Sequence, residues 1–72
     1  MIHHIVPTSI DLFKDAIDYF YERFDLINVQ KYTYVLGEVF MEREQFYEAA
    51  LCYRHANEIM IQIQNRSSWQ DL

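Results

Sequence analysis

The residue types that most often do chemistry are sparse in this sequence, which has one cysteine and three histidines among 72 residues. His3 and His4 are adjacent, and neither they nor His55 belong to a set with the i, i+4 spacing of a metal-binding helix. Cys52 precedes a core position and predicts an unreactive, half-buried thiol. The single glycine, Gly37, excludes glycine-rich phosphate and dinucleotide loops. We therefore expect no enzyme, with no catalytic residue, no metal and no cofactor.

The net charge and the distribution of charged residues bear on which kinds of molecule the chain can bind. Eleven acidic residues against six basic ones give a net charge of −5, which opposes binding to nucleic acid. Charged residues interrupt every apolar run before it reaches membrane-spanning length, so no contact with a membrane is expected. The lone cysteine and the absence of a signal-like start predict a cytoplasmic protein, and Met1 favours a natural start.

The spacing of apolar residues predicts a single all-α domain over residues 1–72, with three helices. They are expected over residues 9–24, 29–43 and 46–65, followed by a tail over residues 66–72. Each helix carries an apolar stripe at three-and-four spacing. The stripes are Phe13, Ala16, Ile17, Phe20 and Phe24; Tyr32, Val35, Leu36, Val39 and Phe40; and Phe46, Ala49, Ala50, Tyr53, Ala56, Met60 and Ile63.

One pattern occurs twice in the sequence. Phe13, Ala16 and Phe20 are repeated 33 residues later as Phe46, Ala49 and Tyr53. A small residue followed four positions later by an aromatic one is typical of a close pair of helices, and the period suits a helical repeat.

The second copy of this pattern, together with Leu36-Gly37-x-x-Phe40 and Ala56, resembles the tetratricopeptide (TPR) repeat. Thr33 departs from it where the family prefers Trp, and Ile61 departs where Pro is common. The resemblance implies one TPR helix pair, preceded by the second helix of a degenerate repeat.

A narrower resemblance covers residues from about Asp11 onwards. The chain is similar to the carboxy-terminal repeats of Rap-type response-regulator aspartate phosphatases and related peptide-sensing regulators of Gram-positive bacteria. The similarity is carried by Asp15-Ala16-Ile17-Asp18-Tyr19-Phe20, by residues 40–49, by Ile61-Gln62-Ile63-Gln64 and by Trp69-Gln70-Asp71-Leu72. It implies a peptide-binding TPR surface without phosphatase activity, since the catalytic bundle of that family has no counterpart here.

The TPR register places one exposed face of the second helix on the ligand-binding side. Its residues are Lys31, Tyr34, Glu38, Met41 and Glu42. A tyrosine between carboxylates suits a basic peptide, and a lysine suits a carboxylate. The alternative is an ordinary solvated helix face.

A second candidate surface consists of the apolar residues Phe24, Trp69 and Leu72. The tail can cap the third helix or dock on another chain. Because one and a half repeats are too few to be stable alone, we expect a homodimer in which the first helix of each copy covers the other's repeat. The leading function is a module that binds a peptide or protein; the alternative is a small structural or inhibitory bundle that occludes a partner.

Overall fold

The protein is all-α, as its apolar spacing predicts. The structure, a computed structural model, describes the backbone of residues 9–70 and the side chains of residues 9–66. Three helices follow one another: α1 (Ser9–Glu22), α2 (Leu26–Glu42) and α3 (Phe46–Gln70). The described part of the chain contains no strand. Helix α2 packs extensively against α3 and less extensively against α1.

Two three-residue turns of the same design connect the helices. In the first, the Asp25 and Phe24 amides donate to the Phe20 and Tyr21 carbonyls, at 3.0 Å each. In the second, the Gln45 and Glu44 amides donate to the Phe40 and Met41 carbonyls, at 2.9 and 3.0 Å. This double hydrogen bond is the Schellman motif, which requires a left-handed residue after the helix. Phe24 (φ 57°) and Glu44 (φ 60°) take that position.

The first turn corrects two predicted boundaries. Helix α1 ends at Glu22, not at residue 24, because Phe24 adopts the left-handed conformation. Helix α2 begins at Leu26, three residues earlier than predicted, because Asp25 is its N-cap. The Asp25 carboxylate accepts hydrogen bonds from the Asn28 backbone and side chain, at 3.3 and 2.6 Å. Residues 26–28, which the prediction leaves between two helices, therefore form the first turn of α2.

Helix α3 continues to Gln70 and so extends beyond its predicted end at residue 65. The predicted tail was therefore wrong for residues 66–70. Ser67 and Ser68 are only mildly unfavourable in a helix, and the chain's one glycine and one proline, Gly37 and Pro7, both lie elsewhere. Nothing after Ile63 is a strong helix breaker.

The buried core lies between α2 and α3. Its members on α2 are Val29, Thr33, Leu36, Gly37 and Phe40, and those on α3 are Ala49, Ala56 and Ile59. Gly37 marks the closest approach of the two helices. A Cβ atom placed there would lie 2.8 Å from Tyr53 Cε1 and 3.2 Å from Cys52 Cβ. Only glycine fits this crossing without a shift of the neighbouring helix.

The structure changes the membership of the predicted stripes. Of the five residues predicted on the apolar face of α2, only Leu36 and Phe40 are buried, because α1 and α3 contact different sides of that helix. On α3, Ile59 is 1% exposed and lies in the core, whereas the predicted Met60 is 37% exposed. Phe46 is 58% exposed at the start of α3.

Helix α1 packs against the core through Ile10, Phe13 and Ile17 and also makes ring contacts. The Tyr32 ring of α2 stacks on Phe20 at 5.3 Å between centroids and contacts Phe13 at 6.2 Å. The Tyr21 hydroxyl shares a hydrogen bond with His55 Nε2, which links α1 to α3. Even so, α1 contains no buried residue. The helix is covered on one side only.

Candidate binding groove between helices α2 and α3

An open groove of 390 Å³ runs between α2 and α3. Gln30 and Tyr34 line it from α2, and the remaining wall consists of α3 residues at three-and-four spacing. Those residues are Tyr53, Ala56, Asn57 and Met60. The volume lies at the lower end of the range for ligand sites, about 300–1,000 Å³. An apolar floor with amide and phenol groups at its edges can hold a few side chains of a peptide.

Two tyrosines define the chemistry of the groove. The Tyr34 and Tyr53 rings are 5.3 Å apart at an interplanar angle of 53°, a tilted arrangement that aromatic pairs favour. Burial raises the pKa of Tyr53, and the nearby Tyr34, Glu38 and Cys52 raise it further. The Tyr53 hydroxyl therefore keeps its proton at neutral pH and can donate a hydrogen bond to a ligand.

The five residues predicted as a ligand-binding face are all exposed on α2. Tyr34 lines the groove, and Glu38 lies close enough to Tyr53 to affect its ionisation. Lys31, Met41 and Glu42 do not line it. The structure therefore brings two of the five residues to one place, and Met41 is 44% exposed elsewhere on the helix.

Sequence reasoning missed the half of the groove that α3 provides. Tyr53 and Met60 were assigned to the core stripe, and Gln30 and Asn57 were not considered. A usable signal was present, because positions 53, 57 and 60 follow helical spacing beside the predicted stripe. The sequence does not show how far α3 rotates relative to α2, which decides whether these residues face the core or a groove.

The three residues predicted as a docking surface are not all described by the structure. Phe24 is 80% exposed in the first turn. Trp69 lies in the backbone of α3, where its side chain is outside the described residues, and Leu72 is outside them altogether. Ile27, at 68% exposure, is a neighbour of Phe24 that the sequence analysis did not select.

The residue types with catalytic potential are not gathered in the described region. Burial raises the pKa of the half-buried Cys52 thiol, while Lys14 acts in the opposite direction; the net rise disfavours the reactive thiolate. In this region no three His, Cys, Asp or Glu residues are placed to hold a metal ion. His3 and His4 lie outside the described residues. Within residues 9–70, no helix has the length and apolar character needed to cross a membrane.

Comparisons with protein-family models, curated proteins and solved structures find no match to this chain. The TPR and Rap-type resemblances therefore depend on the residues quoted above.

Proposed function

We propose that this chain is a TPR-type interaction module that binds a short peptide or a protein segment in the groove between α2 and α3. The observation that carries this proposal is the pair of facing tyrosines, Tyr34 and Tyr53, in the wall of that groove. A tyrosine provides a large apolar surface with one polar end and loses little conformational entropy on binding, which suits it to recognition.

The electrostatics of the groove favour a ligand that carries positive charge. Glu38 follows Tyr34 by one turn of α2 and contributes to the raised pKa of Tyr53, and the whole chain has a net charge of −5. A lysine or arginine of the ligand would find a carboxylate beside two aromatic rings, and both features attract a cation. Gln30 and Asn57 can hydrogen-bond with the peptide backbone. The expected ligand is a short peptide with a basic residue next to an apolar one.

A peptide-display experiment tests the proposal. The full-length protein is used to select binders from a random library of short peptides, and the affinities of selected peptides are measured by fluorescence anisotropy. We expect basic and apolar residues to be enriched. The Tyr34→Ala variant should weaken binding at least about tenfold, since an aromatic anchor typically contributes more than about 1.4 kcal/mol. Glu38→Gln should weaken binding and make it less sensitive to salt.

Matched controls are available on the same chain. Tyr47 is 74% exposed on α3 and is not part of the groove wall, so Tyr47→Ala should bind as the wild type does. Glu22→Gln removes one carboxylate from α1 and controls for the change in net charge. Equal loss in Tyr34→Ala and Tyr47→Ala would place binding elsewhere on the surface.

A second candidate function is supported by the exposed apolar turn. Phe24 and Ile27 project from the α1/α2 connection with 80% and 68% exposure. Such residues can act as anchors that occlude a partner protein. Loss of partner binding in Phe24→Ala with retention in Tyr34→Ala would favour this inhibitory function over the peptide groove.

The relation to Rap-type peptide-sensing regulators and the cytoplasmic location remain hypotheses drawn from the sequence. The first depends on degenerate helical motifs. The second depends on the single cysteine. Both are compatible with a peptide-binding groove, and neither is needed for the experiment above.

A further inference from the structure

One side chain, Tyr53, belongs both to the seam between α2 and α3 and to the ligand groove. It packs against the core cluster of Leu36, Phe40 and Ala49, and it also lines the groove. Its ring lies 5.3 Å from the Tyr34 ring, measured between centroids. Whatever fixes the Tyr53 ring in the seam therefore also fixes one wall of the groove.

The absence of a side chain at Gly37 provides the space that the Tyr53 ring occupies. A Cβ atom at position 37 would lie 2.8 Å from Tyr53 Cε1 and 3.0 Å from Tyr53 Cδ1. Carbon atoms in favourable contact are about 3.5–4.0 Å apart, so the ring in its present place excludes any side chain at this position. Gly37 follows Tyr34 by three residues, on the next turn of the same helix face. The ring thus lies over the one residue of α2 without a side chain, next to Tyr34.

The surroundings of the ring decide how it would respond to a side chain at position 37. Cys52 Cβ would lie 3.2 Å from the added Cβ atom, but it is bonded directly to the backbone of α3 and moves only with that helix. The Tyr53 ring rotates about two side-chain bonds and borders the open groove. A Cβ atom at position 37 would therefore displace the ring towards the groove, into space that a ligand needs, and change its contact with Tyr34.

We propose that Gly37 is a positioning residue of the ligand site, which leaves room for the Tyr53 ring beside α2 and so keeps the groove open and the tyrosine pair in contact. This role rests on the proposed function, because the ligand concerned is the peptide of the α2/α3 groove. Binding side chains need neighbours that fix their rotamers, and Gly37 acts on the ligand only through Tyr53. A glycine needed for helix packing alone would affect stability without this dependence on the ring.

The first test requires no ligand. Nuclear magnetic resonance of the full wild-type chain should show nuclear Overhauser effects between the Gly37 α protons and the Tyr53 ring, and between the Tyr53 and Tyr34 rings. In the Gly37→Ala variant, the effects between the two rings should weaken and the Tyr53 ring signals should shift. The absence of either contact in the wild type overturns the proposal, and so do unchanged ring signals in Gly37→Ala.

The second test is a double-mutant cycle with a fluorescein-labelled peptide that was selected on the wild-type chain. Gly37→Ala should weaken binding at least about tenfold when Tyr53 is present, and less than about twofold in the Tyr53→Leu chain, where no ring is left to displace. Equal losses in the two chains contradict a role through Tyr53, as does a Tyr53→Leu variant that binds as the wild type does. If the library yields no binder, the proposed function fails and the ligand role of Gly37 fails with it, whereas the resonance data still show whether Gly37 sets the position of the ring.

Val29→Ala is the matched control for a loss of stability. Val29 is 0% exposed in the core and does not line the groove, and removal of its methyl groups leaves a cavity that destabilises the chain. Under conditions in which circular dichroism shows both variants to be helical, Val29→Ala should bind the peptide as tightly as the wild type. A loss of affinity in Val29→Ala as large as that in Gly37→Ala would show that position 37 acts through stability alone, and would overturn the positioning role.

Discussion

The α2/α3 seam and the α1/α2 seam differ in how many buried residues their helices contribute. Every buried residue among residues 9–66 belongs to α2 or α3, including Val29 and Ile59, which are 0% and 1% exposed. Helix α1 has an apolar stripe with clear helical spacing, yet it contains no buried residue. It contacts α2 through the Tyr32 ring against Phe13 and Phe20, and its Ile10 and Ile17 side chains pack against the core without being buried. An amphipathic helix becomes buried only when neighbours cover enough of its surface.

This difference suggests that the α2/α3 hairpin carries most of the stability. Gly37 on α2 lies close to Tyr53 and Cys52 of α3, and Ala49 on α3 is fully buried against Leu36 and Phe40 of α2. In the α1/α2 seam, by contrast, no residue of α1 is buried. We therefore expect substitutions of the same type to cost more in the hairpin than in α1.

The largest expected effect comes from enlarging the two equivalent alanines. Ala49→Leu places a large side chain in a filled seam and should cost about 3 kcal/mol, close to the whole margin of a domain this small. Ala16→Leu should change monomer stability by less than about 1 kcal/mol, because Ala16 is only half-buried. Urea unfolding of both variants measures the difference. Equal losses would show that the two seams are equally tight.

The fold was predictable where local chemistry decides it. The helices follow from apolar spacing, and Ala49, the small residue of the repeated pattern, is fully buried beside Leu36 and Phe40 of α2. The errors have physical reasons. Phe24 continues the apolar spacing of α1, but its left-handed backbone ends the helix. A phenylalanine in the sequence does not indicate that conformation. Thr33 departs from the TPR pattern and is not part of a predicted apolar stripe, yet it is buried in the core.

The candidate site was less predictable than the fold, because a groove depends on the relative placement of two helices. Tyr34 and Glu38 could be selected from one helix alone. Tyr53 could not, since its ring belongs both to the edge of the core and to the wall of the groove. A small rotation of the helix decides whether a residue at such an edge faces the core or the groove. Apolar spacing does not define that angle.

The next effect concerns the helix crossing at Gly37. Gly37→Ala places a Cβ atom 2.8 Å from the Tyr53 ring and 3.2 Å from Cys52 Cβ. We expect a net loss of about 1–2 kcal/mol, because overpacking outweighs the roughly 1 kcal/mol that alanine gains over glycine in a helix. Thermal unfolding measures it. Adding Tyr53→Leu removes the ring and should recover part of the loss; no recovery would mean that the ring does not cause the clash.

A smaller and opposite effect is expected in the two turns. Phe24→Gly and Glu44→Gly relieve a left-handed backbone (φ 57° and 60°) and should each stabilise the chain by about 0.5–1 kcal/mol, after the greater entropy of the unfolded glycine chain is subtracted. The turns have the same hydrogen bonds, so the two gains should be similar. Chemical denaturation of both variants measures them. Asp15→Gly, in the middle of α1, is the control and should destabilise.

The smallest effect concerns the contact that joins α1 to α3 and depends on pH. Burial raises the pKa of Tyr21, and the Glu58 carboxylate raises it further. The folded chain thus holds this proton more tightly than the unfolded chain, so the contribution of Tyr21 to stability is complete below the ordinary tyrosine pKa of about 10 and is lost as pH rises through the folded value. Tyr21 is 38% exposed, so solvent screens Glu58 and the loss of stability should be slight.

Unfolding midpoints of wild type and Tyr21→Phe, measured from neutral to strongly alkaline pH, should converge above the tyrosine pKa. The decline shared by both proteins reports Tyr53 and Cys52, whose pKa values are also raised. A difference that stays constant at all pH values would contradict the raised pKa, and no difference at any pH would show that Tyr21 links α1 to α3 through the packing of its ring alone.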